Sequence, residues 1–502
     1  MAALGRACAV VAVLLALATS SCGEPSEPEV TSSTQARRSS TPPTTSMPPK
    51  PAPDKAFDTV SKLINDALAA HKLPGAVVVV GHAGTTVFDQ AFGSRKLAGE
   101  PGPDGAPAPE EPMTDDTIFD LASLTKSLAT ATAVMQLYEQ GKVQFDDAVE
   151  KYLPDFNPTH DPERADVTVR MLLTHTSGLV GELDLRDSWG LNGPDKAEGI
   201  HRALTKPLEG TPGASFRYSD VNFILLGLMV ERITGQPEDV YVEQNIFEPL
   251  GMGDTRYLPP AKACGPQQVR GSAIALTAGP SSTCAAGAWD ATVLSRVAPT
   301  ARDEEGRADP AANPDLDFLL RGTVHDPTAR RMGGVAGSAG VFSTAHDMSI
   351  YAQALLDRLA GRPSIFPLTQ ATLQLMTSPE QPGHTPEQVP AANAATREAI
   401  ATTPNTEHPL LAPHYPAIAG QNLRGFGWDI DTGHSKPRGM VFPIGSFGHV
   451  GFTGTSLWID PGSDTYVVLL TNVIHLRGSA PITNLQGELA TLAARALHVY
   501  GS

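Results

Sequence analysis

The chain has 502 residues, 41% of them apolar, which is enough for a large buried core, and its 44 prolines and 46 glycines stay below the roughly 25–30% of a low-complexity chain. Against 37 basic residues stand 54 acidic ones, a net charge of −17, and no long lysine or arginine run exists to follow a phosphate backbone. Nucleic acid is therefore excluded as a partner, while the length admits either several domains or one enzyme domain with insertions.

Residues 1–21 read as a signal peptide: Arg6 supplies the positive start, and residues 7–18 are apolar but too short to span a bilayer. The stretch Ala18-Thr19-Ser20-Ser21-Cys22 resembles a bacterial lipoprotein cleavage site, with Thr19 where leucine is usual. Diacylation of Cys22 would anchor the protein to a membrane, at about 0.8 kcal/mol per buried methylene. The alternative is plain secretion after cleavage near Ala18. Residues 22–56, rich in Pro, Ser and Thr, have almost nothing to bury and are expected to be a disordered tether.

Globular patterning starts at Phe57 and is expected to run to residue 502. Phe57, Val60, Leu63, Ile64 and Leu68 fall at helical spacing. AVVVVGH and TTVFDQAFG follow, two β-rich runs around Ala83-Gly84 that predict a hairpin. Helical patterns cover residues 123–141, 168–173, 221–234, 238–247 and 345–359. Residues 261–313 and 379–421 show no sustained periodicity and read as surface insertions. The first holds Cys264 and Cys284, which an oxidising compartment outside the membrane would join; two free thiols are the alternative. TSLWIDP and TYVVLLTNV then flank a turn at residues 461–464, and a helical stretch of about 482–498 ends the chain. Strands at both ends predict one antiparallel sheet closed by the termini, with a helical subdomain inserted between its halves.

Three motifs carry chemistry. Ser123-Leu124-Thr125-Lys126 opens a helical run, and residues three apart share a helix face, so the lysine amine reaches the serine hydroxyl. The positive end of the helix there stabilises a developing oxyanion and disfavours an ammonium. Alone the pattern is weak, since a chain this long holds about one or two such pairs by chance. Tyr218-Ser219-Asp220 places a phenol at the mouth of an apolar helix, where it could relay a proton; alone, Tyr218 is an ordinary half-buried tyrosine. The segment Gly448 to Thr455 puts glycines before the last hairpin, permitting close backbone approach to a ligand, and the Phe452 and Ser123 N–H groups could jointly hold an oxyanion. Alone, it is a glycine-rich turn.

Together FDLASLTK, LLTHTSGL, FRYSDVNFILLG, GGVAGSAGVFSTAHDM, GFGWDI and GHVGFTGTSLWIDPGSD resemble, in order, blocks of the serine β-lactamase and penicillin-binding-protein superfamily, in the branch with class C β-lactamases, D,D-peptidases and esterases. The resemblance implies an α/β (α+β) fold of the β-lactamase/transpeptidase type, a cleft between sheet and helical lobe, Ser123 as nucleophile, Lys126 as its activator and Tyr218 as base or relay. It implies a serine hydrolase that needs no metal or cofactor, monomeric, acting on small esters or amides or on peptidoglycan-derived peptides. A true β-lactamase, or a silent cell-wall-binding protein of the same fold, is the alternative.

Two departures matter. His449-Val450-Gly451 stands where penicillin-recognising members carry Lys-Thr-Gly, and histidine is only partly charged near neutrality. Asp220 stands where the family has an asparagine; ionised, it cannot donate, and it favours the Lys126 ammonium, moving the base role toward Tyr218. Asn222, two residues on, is not expected to face the same way. His175, His325 and Asp326 read as loop-holding residues, and the walls of the substrate pocket are expected from residues 184–192 and the two insertions.

Overall fold

The strand Gly75–His82 carries four consecutive valines, and the period-2 pleat sends them alternately to two different cores. Val77 and Val79 pack with the helical lobe, whereas Ala76, Val78 and Val80 pack with the terminal helices. This strand is buried on both faces because it lies inside an eight-stranded sheet, between Thr465–Thr471 and Thr85–Lys96. Beyond Thr465–Thr471 come Ser456–Asp460, Phe447–Val450, Asp429–Asp431 and Leu423–Arg424, and beyond Thr85–Lys96 comes Glu111–Pro112, every neighbour antiparallel. The first long strand thus pairs with the last, as the β-rich runs at both ends predict, in the register Val78↔Leu469.

The computed structural model describes residues 55–502 except 103–105, 278, 280–282 and 406. The signal segment, Cys22 and nearly all of the tether lie outside the described residues. Helices Asp58–Ala69 and Thr483–Ala496 cover one face of the sheet through Val60, Ile64, Leu489 and Ala493. On the other face the helix Asp220–Thr234 is buried at every position from Val221 to Val230, so it is a central core helix rather than an amphipathic one. It stops at Gly235, whose φ of 71° suits the left-handed end of a helix. Ala345–Leu359 starts at Thr344, whose side chain accepts the Asp347 N–H.

Three expectations need correction. The run after Ser123 is not a regular helix from its start: Lys126–Ala131 forms a π-helical turn before the α-helix Thr132–Glu139. The Thr132 hydroxyl donates to the Ser127 carbonyl, five residues back, within that widened turn. Residues 261–313 are not merely a surface insertion. Trp289, Leu294, Val297 and Ala298 are buried in the main core, and the Ile118 backbone is bracketed by Arg296 and Ala298. Its strands, such as Gln267–Arg270 and Ala273–Leu276, are too short to display a period. Residues 379–421 do lie at the surface, but they contain the helix Gln388–Thr402, in which only Ala392 is buried and so no apolar stripe marks it in the sequence. Cys264 and Cys284 are joined, with Cα atoms 5.6 Å apart.

Candidate active site

Ser123 follows the short strand Phe119–Asp120, which pairs with Val341–Ser343. Ala122, just before it, has φ 47°, a left-handed conformation that costs a residue bearing a Cβ of order 1–3 kcal/mol. Four contacts hold it there. One Asp120 carboxylate oxygen accepts the Ala122 N–H at 2.9 Å and the other accepts the His325 N–H at 2.7 Å. From the sheet, the Thr453 hydroxyl donates to the Asp120 carbonyl at 2.8 Å and the Thr455 hydroxyl to the Leu121 carbonyl at 3.1 Å. Gly451 lies against the same turn, and a Cβ there would run into the Leu121 carbonyl and the Thr455 hydroxyl. The glycine-rich strand end is therefore fixed directly to the nucleophile turn. Among the described residues, neither the Ser123 nor the Phe452 N–H donates to a backbone acceptor.

Lys126 is fully buried. Its ammonium donates to Ser123 Oγ at 2.9 Å and to the Ser338 carbonyl at 2.8 Å, and it pairs with Asp220 Oδ1 at 2.6 Å. Its Nζ lies 5.2 Å from the centre of the Tyr218 ring. Burial opposes the charge, but the Asp220 carboxylate and Tyr218 outweigh it and raise Lys126 above its ordinary value. The ammonium is the resting form. Tyr218 is raised as well, by burial first; Lys126 pulls it down, Asp220 pushes it up, and hydrogen bonding with Ser123 and Lys126 pulls it down again.

Behind this cluster, His175 Nδ1 accepts the Ser219 N–H at 3.2 Å and its ring lies 4.5 Å from that of Tyr218. Asn222 turns the same way, with its amide 3.3 Å from His175 Nδ1 and its carbonyl accepting from Ser177 at 2.6 Å. Asn222 thus faces the HTSGL loop and Asp220 alone faces Lys126, while His175 holds the loop as expected. Asp326 caps the helix Pro327–Arg331 by accepting the Ala329 N–H at 2.7 Å. Its carboxyl is pushed up by burial and then by the charge of Asp220.

The opposite wall is the sheet. His449 is buried, with Nδ1 2.8 Å from the Val450 carbonyl and Nε2 3.3 Å from Arg424 Nη2. Because Arg424 has only donors, Nε2 accepts and Nδ1 carries the proton, a neutral ring. Burial pushes its pKa down to about 3, against the pull of Asp429. Arg424 and Asp429 form an ion pair with both side chains at 0% exposure.

Between the walls is a cavity of about 580 Å³ whose lining includes Ser123, Tyr218, Asp220, His449, Gly451 and Phe452. All the residues singled out in the three motifs thus meet at one site. The expected wall from residues 184–192 does not: the lining takes Gly181 and Glu182 from that side and, instead of the rest of the loop, the segment from Val473 to Gln486. Glu182, Asp220 and Asp326 give the lining three carboxylates, and no lysine or arginine lines it among the described residues. Sequence reasoning missed the Asp120 clamp, the Ser338 carbonyl, His434 and the Arg424–Asp429 pair. Only a short polar side chain two residues before a strained turn could have marked the first of these.

Comparison with known proteins bears on the family and the fold. The family model described as Beta-lactamase matches residues 60–490. The N-acetylmuramyl-L-alanine amidase of Bacillus subtilis (strain 168) is 30% identical over 440 residues, covering 84% of this chain and 82% of that one. An Escherichia coli (strain K12) protein named "Putative D-alanyl-D-alanine carboxypeptidase" is 28% identical, covering 79% of this chain and 78% of its own. The fold is shared with the unliganded simvastatin synthase of Aspergillus terreus, at a TM-score of 0.57 and 23% identity over 90% of this chain and 100% of that one.

Proposed function

The chain belongs to the β-lactamase family, and from that footing we propose a serine hydrolase that acylates Ser123 and passes the acyl group to water, acting on esters or amides. The observation that carries the proposal is the contact of Ser123 Oγ with the Lys126 ammonium, itself held by Asp220, at the edge of the cavity.

With Lys126 charged at rest, the reactive form is the one in which Tyr218 has lost its proton beside that ammonium. The phenolate takes the Ser123 proton as Oγ bonds to the substrate carbonyl carbon, and the N–H groups of Ser123 and Phe452 receive the oxyanion. Collapse breaks the bond to the leaving group, which takes the proton from the Tyr218 phenol. Water then attacks the acyl ester, gives its proton to Tyr218, and Ser123 regains a proton as it leaves. Lys126 remains an ammonium that orients Oγ and steadies the phenolate, and Gly451 keeps the sheet edge close to the nucleophile turn.

Within this class, esters and peptidoglycan-derived peptides rank above penicillins. A penicillin carries a carboxylate next to its reacting ring, and the neutral His449 and the carboxylates of the lining give it no cation. The relatives named for the N-acetylmuramyl-L-alanine and D-alanyl-D-alanine bonds supply the peptide alternative. Residues 1–22 support export with the enzyme anchored outside the membrane through an acylated Cys22. A fluorophosphonate probe tests the acylation: the wild type should be labelled and Ser123→Ala should not. A folded wild type that stays unlabelled, or a variant labelled equally, overturns the proposal.

A further inference from the structure

The catalytic cavity does not end at Phe452. That side chain is 73% exposed and stacks on the His325 ring at 5.8 Å, and beyond it lies a second cavity of about 430 Å³ that shares His325, Phe452 and Ser479 with the first. The two cavities differ in charge. Among the described residues the first has carboxylates and no arginine on its wall, whereas the second is lined by Arg302, Arg330 and Arg477 and by Asp303, Glu304 and Glu305.

Ion pairs occupy nearly all of these groups. Asp303 pairs with Arg330 at 2.8 Å, and Glu305 with Arg330 at 2.7 Å and Arg331 at 2.8 Å. Glu304 pairs with Arg307 at 3.3 Å and Arg477 at 3.4 Å, and Arg477 also pairs with Asp317 at 2.8 Å. Arg302 is the exception. Its Nη1 donates to the Asp317 carbonyl at 3.2 Å, and among the described residues it has no carboxylate within ion-pair distance. The carboxylate of Glu100 feels its charge but is bonded to His475 at 2.6 Å. Arg302 stands on the strand pair Ala301–Arg302 with Leu319–Leu320, so its backbone is fixed.

We propose that this second cavity is a subsite of the same cleft, in which Arg302 binds a carboxylate that the substrate carries remote from the bond to be cut. The proposal rests on the hydrolase reading for the identity of that bond. A guanidinium has five donors in a planar fork that matches a carboxylate, and Arg302 has committed one. The lining holds three cations against three carboxylates, so one added negative charge is answered by Arg302, while a dianionic phosphate would meet the carboxylates as well. The neutral His449 wall leaves a carboxylate beside the scissile bond without a partner, so the remote position is where the cleft can hold one.

The test is binding to Ser123→Ala, measured calorimetrically. The probes are D-alanine methyl ester capped at its nitrogen with α,ω-dicarboxylic acids from glutaric to sebacic, each with a twin whose free carboxylate is a carboxamide. One carboxylate of the series should bind about tenfold tighter than its twin. Adding Arg302→Gln, which keeps a donor for the Asp317 carbonyl and removes the charge, should abolish that preference without weakening the carboxamide. Arg302→Lys should retain part of it. Equal affinity of every twin pair, no detectable binding by any, or a preference that survives Arg302→Gln overturns the subsite. Absence of fluorophosphonate labelling in the wild type would remove the hydrolase reading and leave this comparison of affinities standing.

Discussion

On the helical side of the cleft, Lys126 is buried but its partner Asp220 keeps 15% of its side chain exposed and lines the cavity. On the sheet side, Arg424 and Asp429 are both sealed at 0% exposure behind His449, and the wall that substrate meets is a neutral ring. The helical wall presents part of its charge to the cavity; the sheet wall keeps its charge buried, with the Arg424 guanidinium 5.9 Å from the centre of the Tyr218 ring. Mutations on the two sides should therefore be read by different measurements, activity for one and stability for the other.

The largest effect expected is on the sheet side. Arg424→Met leaves Asp429 buried with its charge unanswered, and should cost about 3–5 kcal/mol in urea unfolding. A loss below about 1 kcal/mol would mean that water reaches the pair, and the contrast between the walls would fail. Next comes acid. His449 has a folded pKa of about 3 against an ordinary value of 6.5, so between those values the unfolded chain binds a proton that the folded chain refuses. Stability is then full well above about pH 6.5 and falls as pH drops, by roughly 3 kcal/mol at about pH 4 from this residue. Urea titrations across that range should show the decline, and His449→Gln should make it shallower. An unchanged slope would assign the acid lability elsewhere, first to His175, which is buried and whose pKa burial pushes well below its ordinary value, and then to His325, pushed down to about 4.

How far each wall could be read from sequence follows the same division. Ser123 and Lys126 are three residues apart, a distance over which helical geometry is predictable, and the closure of the sheet was visible in the valine-rich strand near one end and TYVVLLT near the other. The Asp220 contact with Lys126 was anticipated because the family pattern places a side chain there. Arg424 is 25 residues from His449 and stands just before the GFGWDI block, which says nothing of its partner, so local sequence did not mark it as the cation hidden behind the histidine. The same holds for the Ser338 carbonyl, 212 residues from Lys126, and for Arg302, which lies in a stretch whose strands are too short to show a period. What local spacing or a dense motif encodes was legible; what depends on long-range packing of short segments was not.

The smallest effect expected is also the one that separates the roles of Lys126 and Tyr218. Asp220→Asn removes a carboxylate that raises the pKa of both groups, since Asp220 acts on Lys126 by attraction to the ammonium and on Tyr218 by repulsion of the phenolate. Both groups should then lose their protons at lower pH. If a deprotonated Tyr218 or Lys126 is what activates Ser123, the rate of fluorophosphonate labelling should rise with pH in the wild type and along a curve displaced toward acid in the variant, with a gain at neutrality of about tenfold for each unit of displacement. If Asp220 instead serves mainly to hold Lys126 against Ser123 Oγ, labelling should fall at every pH with the curve undisplaced. The amide can still accept from Lys126, so the helical wall should keep its fold in either case, and the thermal midpoint should move little. The sheet wall answers differently: its carboxylate lies at 0% exposure behind His449, so changing it should register first in stability.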